Sequence, residues 1–130
     1  MKNHVQTFFF GIIGNVTGAE TSYPQPGSAP SWTAAKNGIY LSLTRGGTLK
    51  GLWVGAKTAP GGSVVDTITV QVDGGDTAIT CTLTGAQTLN GDSTHTQTVT
   101  LHQAITIKYV AGAGSVASGI NCSVEVENDN

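Results

Sequence analysis

Apolar and polar residues alternate with a period of two along much of this chain, most clearly between Gly47 and Thr84. Two runs show the pattern, with apolar positions at Ile68, Val70 and Val72 in the first and at Ile79, Cys81 and Leu83 in the second. The intervening positions are Thr or Gln, so each run predicts a strand with one buried face. Residues Asp73–Asp76 between the runs tolerate positive φ, which predicts a hairpin.

The same alternation predicts further strands, at Thr7–Ile13, Ile39–Leu43, Gln97–Leu101 (with Val99 and Leu101 inward), Ile105–Tyr109 and Ile120–Val126. Residues 85–96 keep no period and predict a polar connection, and Ser31 could cap a short helical turn over 31–36. About eight strands and no long helix indicate an all-β protein, an antiparallel β-sandwich of jelly-roll type. An immunoglobulin domain would place a Trp between its two core cysteines, whereas Trp32 and Trp53 both precede Cys81.

The chain is interpreted as a single domain with two parts. Residues 1–36 supply an N-terminal strand and a Pro-rich arm that contribute to the fold or to an interface, and residues 37–130 form the jelly-roll sandwich. Within the first part, Phe8, Phe9 and Phe10 are consecutive, which implies apolar partners on both faces of that strand. The apolar core near the N-terminus is short for a secretory signal. No run approaches the roughly 18 apolar residues of a membrane span, so no membrane partner is predicted.

The composition is unusually poor in charge. Charged residues are 11% of the chain and the formal net charge is −2, against a typical charged fraction of about 25%. The few Lys and Arg residues are widely spaced, which argues against a nucleic-acid partner. The two cysteines, Cys81 and Cys122, both fall on the inward side of their strands. They are interpreted as two buried thiols or as one disulfide.

No constellation of reactive residues is evident. His4, His95 and His102 have no accompanying Ser or Cys motif, so they are interpreted as surface or loop residues. The pair Asp73 and Asp76 could supply two calcium ligands, but calcium takes six to eight oxygens and turn formation explains the same residues. The sequence therefore predicts no enzyme, no metal site and no cofactor.

The aromatic residues allow two interpretations. Trp32, Trp53 and Tyr23 could form a platform on which a sugar stacks, or they could pack at a protein interface, where aromatic residues are enriched. Packing is favoured, because the sequence does not identify the polar groups that a sugar site needs.

Four stretches carry a resemblance to a known family: Gly47–Val54, Ala59–Ser63, Thr67–Gly85 and Asp92–His95. They resemble a jelly-roll domain of tailed-bacteriophage virion proteins, among head decoration and fibre proteins. The resemblance covers roughly residues 45–126. His102-Gln103 departs from it, since Gly-Asp is usual at that point. Such domains are similar to the trimeric tumour-necrosis-factor and complement-type jelly rolls, which implies a homotrimer.

The resemblance implies a non-enzymatic virion structural protein that decorates or cements the head. Its partners would be the major capsid protein and its own copies, and it would be made in the host cytoplasm and located on the capsid surface. The residues expected at the capsid or subunit interface are Phe8, Phe9, Phe10, Ile12, Ile13, Tyr23, Trp32 and Trp53. The alternative is a receptor- or carbohydrate-binding module of a phage fibre or of a bacterial surface protein. A small hydrolase is the least favoured class.

Overall fold

The computed structural model describes residues 4–16, 19–26, 41–43 and 45–128. In these ranges it contains eleven strands: β1 (His4–Asn15), β2 (Thr21–Ser22), β3 (Gln25–Pro26), β4 (Leu41–Ser42), β5 (Gly47–Thr58), β6 (Val65–Val72), β7 (Gly75–Thr84), β8 (Leu89–Asp92), β9 (Gln97–Val99), β10 (Ala104–Val110) and β11 (Ser118–Asn128). The protein is all-β, as the alternating pattern predicted. None of the described residues belongs to a helix that could cross a membrane.

The strands form two antiparallel sheets that pack as a sandwich. Sheet A has the order β3-β1-β11-β5-β8, with β9 also pairing with β5. Sheet B has the order β2-β10-β6-β7, with β4 also pairing with β10. The long strands β1, β11 and β5 make the centre of sheet A, and a β-bulge between Ser123 and Glu125 interrupts the pairing of β11 with β5. This architecture is consistent with the jelly-roll type of sandwich.

The core lies between the two sheets. Its members on β6, β7, β10 and β11 are predicted inward positions, whereas those on β1 and β5 were not predicted as such. Sheet B contributes Ile68, Val70, Ile79, Leu83, Ile105, Ile107 and Tyr109, and sheet A contributes Phe10, Ile12, Leu49, Leu52, Val54, Ile120, Val124 and Val126. These side chains are almost completely buried. The predicted inward positions are therefore confirmed on β6, β7, β10 and β11, because each strand lends one face to the core. The prediction that only one face is buried is wrong for β6, where Thr69 and Gln71 on the opposite face are also buried.

The predicted hairpin is confirmed between β6 and β7. Asp73 and Gly74 both have positive φ, 50° and 83°, which is the backbone conformation of a type I′ turn. The Asp73 carboxylate accepts hydrogen bonds from the Ala104 backbone N–H at 2.9 Å and from the Gln103 side chain at 3.1 Å. Asp73 thus serves as a turn residue that also ties the hairpin to the start of β10.

Two predictions on the downstream half were wrong. The predicted polar connection contains β8, which pairs with residues 52–55 of β5; a four-residue strand with a central Gly is too short to show a period. Leu101 was expected to point inward, but it lies in a turn after β9 and is 54% exposed. The chain turns at His102-Gln103, with His102 at φ 69°. The possible helical turn over 31–36 lies outside the described residues.

The three consecutive Phe side chains of β1 point alternately to the two faces of sheet A. Phe10 is buried in the core, Phe8 is half-buried, and Phe9 is 64% exposed on the outer face. The side chains alternate because β1 pairs regularly with β11 from His4 to Ile12. The described residues of one chain therefore leave most of Phe9 uncovered on the outer face of the strand.

Cys81 and Cys122 are both buried and both free thiols, as the first of the two interpretations had it. Burial raises the pKa of Cys81 to about 11, with a smaller contribution from the nearby Asp92 carboxylate, and burial likewise raises the pKa of Cys122. Because the thiolate is the reactive form, both residues should resist alkylation in the folded protein.

We expect iodoacetamide at pH 8 to label neither cysteine in the native protein and both in denaturant, as measured by mass spectrometry. Labelling of the native protein at the rate of the unfolded chain would contradict this expectation.

Candidate binding surface

The outer face of sheet A carries two parallel rows of outward-pointing residues. One row runs across β1, β11, β5 and β8 and consists of Phe9, Ser123, Trp53 and Gly91. The adjacent row consists of Gly11, which is buried, and of Asn121, Gly55 and Leu89. We call these eight residues the outer platform. With three glycines among its eight positions, the platform is flat apart from its aromatic and apolar members.

Trp53 owes its position to the glycine beside it. A Cβ atom at Gly91 would lie 3.2 Å from two carbons of the indole and 2.5 Å from the Leu52 carbonyl oxygen. The indole therefore packs against the backbone of β8 at a place where no side chain would fit. The Trp53 side chain nevertheless remains 53% exposed, so a large aromatic surface faces solvent.

Two uncharged polar side chains stand on the central strand of the platform. Asn121 is exposed and Ser123 is partly exposed, and neither side chain is hydrogen-bonded to another described residue. The Asn121 amide leans over Gly55, where its Oδ1 would lie 3.0 Å from an added Cβ. Both groups are thus available to a ligand beside Trp53.

A shallow pocket of about 110 Å³ opens next to the indole, lined by Leu52, Trp53, Asn90, Gly91, Asp92 and Ser93. The Asn90 side chain is engaged, because its Nδ2 donates to the Thr82 carbonyl of β7 at 2.7 Å. Ser93 is exposed, and its hydroxyl has no partner among the described residues. The pocket thus extends the outer platform past β8.

Asp92 fastens this edge of sheet A to sheet B. Its Oδ2 accepts hydrogen bonds from the Thr80 backbone N–H of β7 at 3.1 Å and contacts His95 Nδ1 at 2.8 Å. Its Oδ1 accepts bonds from the backbone N–H groups of Thr94 and His95 and from the Thr94 hydroxyl. One nearly buried carboxylate therefore organises the turn after β8 and joins the two sheets.

Two opposing effects act on the pKa of Asp92. Burial alone would raise it, but the hydrogen bonds from the backbone of His95, Thr94 and Thr80, together with the His95 side chain, outweigh burial and hold the pKa well below its usual value. Bonds that favour the charged form of a carboxylate have this effect. Asp92 is therefore ionised at neutral pH.

The Asp92–His95 pair does not have the geometry of a catalytic dyad with a hydroxyl nucleophile. In such a set, the carboxylate holds one ring nitrogen and the other nitrogen faces the hydroxyl. Here the Asp92 carboxylate and the Thr94 hydroxyl approach the same nitrogen, Nδ1, at 2.8 and 3.4 Å. Among the described residues, no group of three or more His, Cys, Asp or Glu side chains could hold a metal ion.

A second carboxylate, Asp66, lies completely buried on β6. Its Oδ2 accepts hydrogen bonds from the Tyr109 hydroxyl at 2.5 Å and from the Ser115 hydroxyl at 2.7 Å, and its Oδ1 accepts one from the Gly112 backbone N–H at 2.8 Å. Burial, and then the bond to Asp66, raise the pKa of Tyr109. Asp66 fixes the loop after β10 to β6 and is sealed from solvent, so it belongs to the structure and not to a site.

The residues predicted at a capsid or subunit interface do not lie on one common surface of the folded chain. Phe9 and Trp53 share the outer platform, two strands apart, whereas Phe10 and Ile12 are buried in the core of their own chain. Phe8 and Tyr23 are half-buried. The side chain of Ile13 and the whole of Trp32 lie outside what the structure describes. Asn121 and Ser123 were not identified from the sequence as candidate site residues. They flank Cys122 in β11, so the inward position of Cys122 could have indicated that both side chains point outward.

Comparison with known proteins adds no family assignment. A scan of the chain against protein-family models finds no match, and a search of curated proteins finds none of significant similarity.

Proposed function

We propose that this protein is a non-enzymatic structural protein of a bacteriophage virion, a homotrimer that decorates or cements the capsid surface. The observation that carries the proposal is the outer face of β1, where Val5 is 52% exposed and Phe9 is 64% exposed. Exposed large apolar side chains on one strand are typical of a protein contact. The major capsid protein is the proposed partner.

The edge of β1 supports the same contact. On the side away from β11, the described residues pair with β1 only at Phe10 and Gly11, through β3. The backbone of the strand before Phe10 is therefore open to a partner within the described part of the chain, and unpaired strand edges readily bind other chains. A cement protein binds by area and by avidity over several capsid subunits, so it needs this kind of rigid, extended contact and no reactive group.

The buried chemistry of the sandwich also supports a structural role. Asp66 and Asp92 are both occupied by internal hydrogen bonds, and the two thiols are free, which suits assembly in a reducing cytoplasm. These observations favour a scaffold over a hydrolase.

The test replaces the outward side chains of β1 while keeping its core side chains. Deleting the strand would remove Phe10 and Ile12 from the core, so the informative variant is Val5→Ser combined with Phe9→Ser. We expect this variant to remain a trimer of the 13.3 kDa chain by light scattering. We expect at least tenfold weaker binding to particles that lack the protein, because interface cores depend on a few apolar anchors.

Leu101→Ser is the matched control, since Leu101 is similarly exposed at a site away from β1. Wild-type decoration by the double variant would contradict the proposal, as would the absence of the protein from a mass-spectrometric inventory of purified virions or a monomeric wild-type protein.

A further inference from the structure

We propose that the Trp53 side of the outer platform binds a neutral saccharide. The inference rests on Trp53, on the uncharged polar groups beside it, and on the balance of charge over the face. It does not depend on the proposed place of the protein in a virion, because the platform is complete within one described chain.

The indole supplies the apolar half of a sugar site. The face of an aromatic ring carries partial negative charge, and the C–H groups on one side of a pyranose ring carry partial positive charge. Stacking therefore matches both charge and shape. The indole of Trp53 packs against Gly91, and this contact fixes its orientation before a ligand binds. Preorganisation of this kind lowers the entropic cost of binding.

Asn121 and Ser123 supply the polar half. Adjacent strands are about 4.8 Å apart, so Ser123 lies one strand from Trp53 and Asn121 lies diagonally beside it, leaning over Gly55. An amide and a hydroxyl both donate and accept hydrogen bonds, as the hydroxyl groups of a sugar do. The hydroxyl of Ser93 adds a third such group across the pocket.

The charge of the face favours a neutral ligand. Lys50 is paired with Glu127, and the remaining charges on the outward positions of β5 and β11 are Lys57 and Glu125. The two cations and two anions at these positions offset one another. The ionised Asp92 that lines the pocket is already occupied by hydrogen bonds from Thr80, Thr94 and His95. A nucleic-acid strand could stack on Trp53, but its backbone needs a continuous positive track, and a phosphate or sulfate would need several unpaired cations. A neutral sugar needs neither.

Phe9 extends the same row on the other side of Ser123, roughly 10 Å from Trp53 across two strand spacings. In the protein free of capsid, where Phe9 is uncovered, two exposed aromatic side chains in one row suit a ligand longer than one sugar ring. An oligosaccharide is therefore expected to bind better than a monosaccharide.

The test applies wild-type protein to an array of immobilised neutral oligosaccharides, with sialylated and sulfated glycans on the same array. The neutral oligosaccharide that is best retained is then titrated calorimetrically. The variants are Trp53→Ala, Asn121→Ala and Trp53→Phe, with Leu101→Ala as the matched control. All of these positions are exposed, so each variant should fold. Trp53→Ala also removes the packing of the indole on β8, so its melting temperature is measured and binding is compared well below it.

We expect Trp53→Ala to weaken binding of that oligosaccharide at least tenfold and Asn121→Ala to weaken it several-fold. Trp53→Phe should restore part of the affinity, and Leu101→Ala should stay within twofold of wild type. The inference is overturned if no neutral glycan is retained, if only charged glycans are retained, or if Trp53→Ala binds as well as wild type. Loss of particle binding by Trp53→Ala without any glycan binding would assign the face to a protein partner instead. Since the glycan assay contains no particles, its result is separate from that of the decoration assay.

Discussion

Replacing Asp66 with Ala is expected to lower the free energy of unfolding by about 3–5 kcal/mol, the largest effect of any single polar substitution proposed for this protein. The Tyr109 and Ser115 hydroxyls and the Gly112 N–H would all lose their acceptor at once. Removing the shared acceptor leaves three buried donors desolvated and unpaired, which costs this much. The melting temperature should fall by roughly 10–20 °C.

Two further variants serve as comparisons for the stability loss of Asp66→Ala. Tyr109→Phe removes one of the three donors and should cost about 1–3 kcal/mol, because a buried hydrogen-bonding partner is lost. Asp76→Asn changes an exposed carboxylate that pairs with Lys108 and should cost no more than about 1 kcal/mol. Chemical denaturation followed by circular dichroism measures all three. A loss below about 1 kcal/mol for Asp66→Ala would mean that the buried network does not stabilise the loop.

Asp92→Ala is expected to cost about 2–4 kcal/mol at pH 7, because the Thr80, Thr94 and His95 backbone N–H groups lose a shared acceptor. This cost should depend on pH. The folded-state pKa of Asp92 is lowered, while an unfolded Asp has a pKa of about 3.9. The stabilisation is therefore fully present above about pH 4 and is lost as the pH falls from there through the lowered folded-state pKa.

The measurement compares unfolding free energies of wild type and Asp92→Ala at pH 7, 5, 4 and 3. The difference between them should be constant above about pH 5 and should shrink below about pH 4. Leu83→Ala is the control, since it removes a buried side chain that does not titrate, at a cost of about 2–5 kcal/mol at every pH. A difference for Asp92→Ala that stays constant down to pH 3 would refute a stabilising role for the ionised carboxylate.

The parts of the fold that follow from local pattern could be predicted from the sequence. Alternation placed Ile107, Tyr109 and Val124 in the core, because a strand that packs on one side must bury every second residue. The Asp73-Gly74 turn was predictable because positive φ at two successive positions favours these residues.

The contacts that depend on distant parts of the chain could not be predicted in the same way. Asp66 shares the inward parity of Ile68 and Val70, which could have marked it as buried, but its partners lie more than forty positions away and no local pattern names them. Similarly, Trp53 could be recognised as aromatic surface, but its neighbours Ser123 and Gly91 follow from the register of three strands. The sequence therefore indicated that Trp53 could stack on a sugar, but it did not identify the polar side chains beside it.

The pairing of β1 with β11 also governs how the sandwich assembles. His4 lies opposite Asn128, so the two strands come from opposite ends of the described chain, whereas the β6–β7 hairpin closes within a two-residue turn. Loop-closure entropy makes such distant pairings slow to form and local hairpins fast. Sheet B can therefore nucleate around its hairpin, while sheet A is completed only when β1 docks. Until then the edge of β11 stays open, and this interval is when a folding chain is most exposed to misassociation with its neighbours.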